Sequence, residues 1–114
     1  MKKLLLIIPL IIGILIIGGC GKKENKLQEI INENNYIIVD VRTPDEYNEG
    51  HLKDAINIPV DEMEENIFDK TKTILVYCRS GNRSKTAYNS LTKMGYTAYD
   101  MGGYENITEF EKVK

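Results

Sequence analysis

The run Thr73-Ile74-Leu75-Val76-Tyr77 enters Cys78-Arg79-Ser80-Gly81-Asn82-Arg83-Ser84, and a helix-like segment follows as far as Met94. Five uncharged residues rich in β-branched and aromatic side chains have the composition and length of a buried strand. Past the loop, Ala87, Leu91 and Met94 recur at i, i+4 and i+7, and Gly95 stands where a C-terminal cap belongs, so 84–94 reads as an amphipathic helix.

A strand ending at Cys78, with a helix beginning a few residues later, sets the thiol against unpaired N–H groups at the positive end of a helix dipole. Such surroundings depress a cysteine pKa, in known cases to roughly 3.5 to 7.5. Arg79 and Arg83 add positive charge, and Gly81 lets the backbone turn tightly enough for its amides to point inward. A cysteine alone reads as a small buried core residue. Two arginines and a glycine in the next five positions argue against that here, because those charges would have to be desolvated with it.

The hexapeptide Cys78-Arg79-Ser80-Gly81-Asn82-Arg83 resembles the active-site loop of rhodanese-type sulfurtransferases. Upstream, Asp40-Val41-Arg42, Glu46-Tyr47, Gly50-His51-Leu52 and Ala55-Ile56-Asn57-Ile58-Pro59 resemble that family's N-terminal signature in order and spacing, and Gly102-Gly103 resembles its glycine pair. The resemblance spans 36–107. It implies a mainly parallel central sheet with helices on both faces, a catalytic Cys78, a substrate loop made of Arg79, Ser80, Gly81, Asn82 and Arg83, and supporting roles for Asp40, Arg42, Glu46 and His51. It also implies a small anionic sulfur donor such as thiosulfate, a thiol or protein as sulfur acceptor, and no cofactor. The chain departs from the pattern at Ile107, where rhodaneses often carry a tryptophan shortly after the glycine pair.

The N-terminus belongs to a different kind of segment. Lys2 and Lys3 precede an uncharged Leu/Ile-rich run from Leu4 to Ile17, and Gly18-Gly19-Cys20 follows, which fits a secretory signal with a small-residue cleavage site. Ile17-Gly18-Gly19-Cys20 resembles the lipobox of bacterial exported lipoproteins. The expected organisation is a signal at 1–19, lipid attachment and a polar tether at 20–26, and one domain at 27–114, held at the outer face of a membrane through Cys20. An uncleaved membrane anchor is the competing reading, since the run approaches the length of a spanning helix. One acyl chain anchors only marginally, so stable attachment requires more than one.

The charge balance is −2; without Lys2 and Lys3, 13 basic side chains face 17 acidic ones, a balance of −4. That argues against a nucleic-acid partner. Of the two cysteines, a lipidated Cys20 would leave Cys78 an unpaired thiol in an oxidising compartment. One histidine and one free cysteine do not make a zinc site, which needs three or four ligands, so no metal is expected.

The other elements follow from pattern. A helix is expected at 26–34, a buried strand at 36–41, and a short helix opened by the capping box and proline of Thr43-Pro44-Asp45-Glu46. A strand at 55–58, an acidic helix at 61–68, a strand at 97–101, a turn at Gly102-Gly103 and a last helix at 104–112 complete the series. The resemblance implies that Asp40 and Arg42 help fix the loops at the sheet's C-terminal edge, with Glu46 as an available partner for Arg42. His51, the sole candidate for a Cys/His pair, is expected to support the fold rather than act as a base. Strands alternating with helices give a parallel sheet, whose ligands sit beyond the C-terminal strand ends, where Cys78 lies.

Two other functions compete with sulfur transfer. One is a phosphatase or an arsenate-reducing relative, although phosphatases with a related loop usually place the arginine one residue further on, where this chain has Ser84. A binding or redox-sensing module at a membrane would use Cys78 without transferring sulfur.

Overall fold

The computed structural model describes residues 22–65 and 67–114, with residues 22–25 described by backbone alone. The signal reading at 1–19 and the lipidation reading at Cys20 lie outside them. The chain divides between Glu33 and Asn34 into two units. Helix α1, Lys22–Glu33, belongs to the first; it starts four residues before the expected Lys26 and takes in part of the expected tether. Asn34, at φ 53°, ends it in the left-handed conformation that asparagine tolerates.

The second unit is built on a four-stranded parallel sheet in the order β3-β1-β4-β5. Its strands are β1 (Tyr36–Asp40), β3 (Ile56–Asn57), β4 (Thr73–Cys78) and β5 (Thr97–Gly103). Strand β4 lies between β1 and β5, and every residue from Ile74 to Cys78 is fully buried, which is why its sequence is an unbroken apolar run instead of an alternation. Helix α2, Pro44–Glu49, opens with the expected capping box: the Thr43 hydroxyl accepts from the Glu46 amide, and the Glu46 carboxylate accepts from the Thr43 amide. Helix α3, Asn82–Lys93, lies between β4 and β5 in sequence, and Gly95 at φ 93° ends it as predicted.

Alternation along the strands divides the interior. Val39, Val41, Ile74, Val76 and Cys78 pack with Ala87, Leu91 and Tyr96 in one cluster that joins the sheet to α3. Ile38, Leu75 and Tyr77 point the other way. On that side the Tyr77 hydroxyl accepts a hydrogen bond from the Leu52 amide at 3.0 Å, and the Tyr77 ring stacks on Tyr104 with centroids 5.8 Å apart. Ile107, at the position of the expected tryptophan, is buried.

Two expected helices are absent among the described residues. Over 61–68 the chain makes one 3-10 turn, Val60–Glu62. Met63, Ile67 and Phe68 still pack on the α3 side, but the Phe68 amide and carbonyl both bond to the Tyr96 hydroxyl, at 3.0 and 3.1 Å, so a long-range partner replaces the helical ladder there. Asp61, Glu62, Glu64 and Glu65 crowd like charges into the same stretch. Over 104–112 there is a 3-10 turn, Tyr104–Asn106, and then strand β6, Lys112–Val113, pairs antiparallel with β2, His51–Leu52. Phe110 packs edge-on against Tyr36 without any helix. The glycine pair is not a turn after β5 but its last two residues. A bulge places Gly102 beside Tyr77 and Gly103 beside Cys78, leaving Met101 as the extra residue.

Candidate active site

Cys78 is the last residue of β4 and is a free, fully buried thiol. The loop after it folds back so that the Gly81 and Ser84 amides donate to its sulfur at 3.0 and 3.3 Å. Gly81, at φ 103° and ψ −10°, sits in the left-handed region directly before α3, which lets its amide face inward. Burial raises the Cys78 pKa, but bonds from the Ser84 hydroxyl and from the Ser84, Gly81 and Arg83 amides outweigh it, and the thiol is held below its ordinary value of 9.0. The Ser84 hydroxyl also donates to the Gly81 carbonyl at 3.1 Å. It has one proton to give, so ionisation of Cys78 draws that proton toward the sulfur.

The arginines are placed differently from expectation. Arg42 does not pair with Glu46. It is buried and forks onto Asp40, Nε to Oδ1 at 2.9 Å and Nη2 to Oδ2 at 2.6 Å, and gives a further bond to the Gly50 carbonyl at 2.7 Å. Two residues apart on an extended chain, the two side chains share a face, so the shorter reach wins. Tyr77 donates to the same carboxylate at 2.8 Å, and the Tyr104 ring lies 4.6 Å from the Arg42 guanidinium. Burial first, and then the bond to Asp40, push the Tyr77 phenol far above its ordinary range, so it remains a donor.

Glu46 instead takes Arg83. Nη1 and Nη2 meet Oε1 and Oε2 at 2.8 and 3.1 Å, a two-point clamp from the first turn of α2 to the first turn of α3. The Arg83 bonds hold the Glu46 pKa at about 2, against an ordinary 4.5. Arg79 is exposed, and its side chain makes no hydrogen bond or ion pair among the described residues. It borders a cleft of about 230 Å³ together with Arg42, Glu46, Glu49, Tyr104 and Glu105.

Of the other expected residues, Ser80 and Asn82 are exposed on the loop. His51 stacks flat on Tyr47, centroids 3.8 Å apart, with Nδ1 2.9 Å from the Tyr47 carbonyl. A carbonyl only accepts, so Nδ1 carries the proton, and the ring supports the α2–β2 corner rather than the thiol. Among the described residues no group of three or more His, Cys, Asp or Glu is arranged to hold a metal.

Sequence reasoning missed Ser84, Tyr77, Tyr104 and the close approach of Gly103. A serine as the first residue of the expected helix is a visible signal, since first-turn amides and hydroxyls face the preceding loop. Nothing local marked the two tyrosines, which meet Arg42 only through the fold.

The comparisons agree with this geometry. The model of the rhodanese-like domain family matches residues 23–109. Thiosulfate sulfurtransferase PspE of Escherichia coli strain K12 is 40% identical over 80 residues, which cover 67% of this chain and 77% of that protein. Thiosulfate sulfurtransferase GlpE of Coxiella burnetii strain RSA 493 is 32% identical over 81 residues, covering 68% and 76%. Among solved structures, a rhodanese with anions from E. coli superposes with a TM-score of 0.64 at 38% identity, covering 69% of this chain and 98% of that one. A buried cysteine at a strand end, cradled by the amides of its own loop, thus stands in a chain that belongs to the rhodanese-like family.

Proposed function

We propose that the chain is a sulfurtransferase working through a Cys78 persulfide. The observation that carries this is the sulfur itself, free and accepting two backbone amides at 3.0 and 3.3 Å. The Cys78 thiolate attacks the outer sulfur of a donor such as thiosulfate. An S–S bond forms to Sγ, the donor's own S–S bond breaks, and its electron pair leaves on sulfite. The persulfide anion occupies the amide cradle, which is preorganised for negative charge. An acceptor thiolate then attacks the terminal sulfur, takes it as a new persulfide, and returns Cys78 as thiolate. Relatives named thiosulfate sulfurtransferase support this reading. Sulfite release from thiosulfate in the presence of a thiol tests it: Cys78→Ser abolishes release while leaving far-UV circular dichroism unchanged, and retained release overturns the assignment. The phosphatase alternative gains no support from the loop, whose distal arginine is turned onto Glu46.

We further propose that Cys20 is lipidated and holds the domain on the outer face of a membrane. The support is the uncharged run 4–17 followed by Gly18-Gly19-Cys20. Among the described residues no helix is long and apolar enough to cross a membrane. Expression of the whole chain with a radiolabelled fatty acid checks this. Label lost in Cys20→Ser supports it, and unlabelled protein in the soluble fraction contradicts it.

A further inference from the structure

Arg42 and Arg79 line the cleft, Arg83 stands in the first turn of α3 just past the Cys78 loop, and two of the three arrive already neutralised. Arg42 is taken up by Asp40 at 2.6 Å. Arg83 is taken up by Glu46 through both terminal nitrogens. Only Arg79 has no ion partner among the described residues, and Glu49 and Glu105 border the same cleft with carboxylates of their own. Arg83 is nonetheless close enough to feel the sulfur, since Cys78 raises its pKa while Arg42 lowers it. Its own backbone amide is among the bonds that stabilise the thiolate.

We propose that Glu46 sets donor specificity: by clamping Arg83 it withdraws one unit of positive charge from the site, so that the site discriminates only weakly in favour of highly charged anions. This rests on the sulfurtransferase reading. Glu46 acts through Arg83 and is a positioning residue, not a catalytic one. Its capping of Thr43 fixes the carboxylate in place, and Arg83 in turn fixes the first turn of α3, whose amides hold Sγ. The charged groups around this clamp are Arg42, with its partner Asp40, from the end of β1, Cys78 from β4, Arg79 from the loop, Glu49 from α2, and Glu105 from the turn after β5. Lys85 on α3 is exposed.

The physical signature is a dependence on ligand charge. Coulomb energy is proportional to the charge of the ligand, so freeing Arg83 must favour a dianion by the square of the factor by which it favours a monoanion. The probes are thiosulfate, charge −2, and methanethiosulfonate, charge −1. Each gives up its outer sulfur to the thiolate, with sulfite or methanesulfinate leaving.

Four forms of the full chain make up the experiment: wild type, Glu46→Gln, Arg83→Gln and the double variant, with KM measured for both donors at low ionic strength. Glu46→Gln retains an oxygen for Arg83 and for the Thr43 amide, so the clamp loses its charge before its shape. KM is expected to fall by about threefold for methanethiosulfonate and about tenfold for thiosulfate, with the gain lost in high salt. Arg83→Gln moves both in the opposite direction, and the double variant returns the ratio to that of wild type. Titration of Cys78 by its alkylation rate gives a donor-free reading: its midpoint falls in Glu46→Gln, rises in Arg83→Gln and is restored in the double variant. If no donor charges wild-type Cys78, the sulfurtransferase reading fails while this titration still decides the role of the clamp. A folded Glu46→Gln with an unmoved Cys78 midpoint, or with both donors affected by the same factor, overturns the proposal. If Glu46→Gln does not fold, the titration of Arg83→Gln decides it, and an unmoved midpoint is the contrary result.

Discussion

The carbonyl oxygen of Arg79 lies 2.7 Å from the point where a Cβ on residue 103 would stand, so Gly103 is required by the loop that packs over it. Backbone cannot swing aside as a side-chain tip can. Gly103→Ala is therefore expected to displace the Cys78 loop and reduce sulfur transfer by more than tenfold. Gly102 makes the useful contrast. An added methyl there meets nothing within 4 Å, but φ is 86°. Gly102→Ala should cost about 1–2 kcal/mol of stability, with a far smaller effect on turnover. Steady-state rates and chemical denaturation on both variants check the distinction.

Removing one member of the buried Asp40–Arg42 pair leaves the other charge without a partner in a dry site. Arg42→Met is expected to destabilise the domain by about 3–5 kcal/mol. It also frees the Gly50 carbonyl and the face of Tyr104. Urea denaturation measures the loss. A change below about 1 kcal/mol would mean that Tyr77 and solvent satisfy Asp40 unaided.

The pH dependence of alkylation reads the thiolate directly. With the Cys78 pKa lowered by hydrogen bonds, the rate should reach its plateau at a lower pH than that of a free thiol with an ordinary value of 9.0. Ser84→Ala removes the hydroxyl and keeps the amide, so the midpoint should move up without disappearing. Stability follows the same sign. A depressed cysteine stabilises the fold above its unfolded pKa, and that contribution is lost as pH falls through the folded value.

Glu46 behaves in the same way in acid. Its pKa is lowered from 4.5 to about 2, so its contribution is complete above about pH 4.5 and disappears as pH falls toward 2. The pair is partly solvated, with side-chain exposures of 22% for Glu46 and 34% for Arg83, so screening reduces the effect to about 1–2 kcal/mol. Glu46→Gln should flatten the stability profile across that window, as thermal melts between pH 5 and pH 2 can follow.

What the sequence disclosed was mostly local. The unbroken run of β4, the capping box of α2, the 3.6-residue spacing of α3 and the position of Cys78 between strand and helix each depend on neighbours in the chain. What it hid depends on distant partners. Phe68 finds the Tyr96 hydroxyl 28 residues away, and Lys112–Val113 finds His51–Leu52, so two stretches patterned for helix are used otherwise. The choice between Arg42 and Arg83 for Glu46 belongs to the same class: the resemblance offered Arg42, whereas the fold brings Arg83, 37 residues away, onto the carboxylate. Family resemblance named candidate site residues but not which of them touch.

Intact mass of the chain from Lys22 onward, taken before and after thiosulfate without reductant, tests the persulfide most directly. The predicted result is a gain of one sulfur atom in the wild type, reversed by an added thiol and absent in Cys78→Ser. No gain on a Cys78 shown to be free and alkylatable would contradict sulfur transfer from thiosulfate, and a gain that persists in Cys78→Ser would place the sulfur elsewhere.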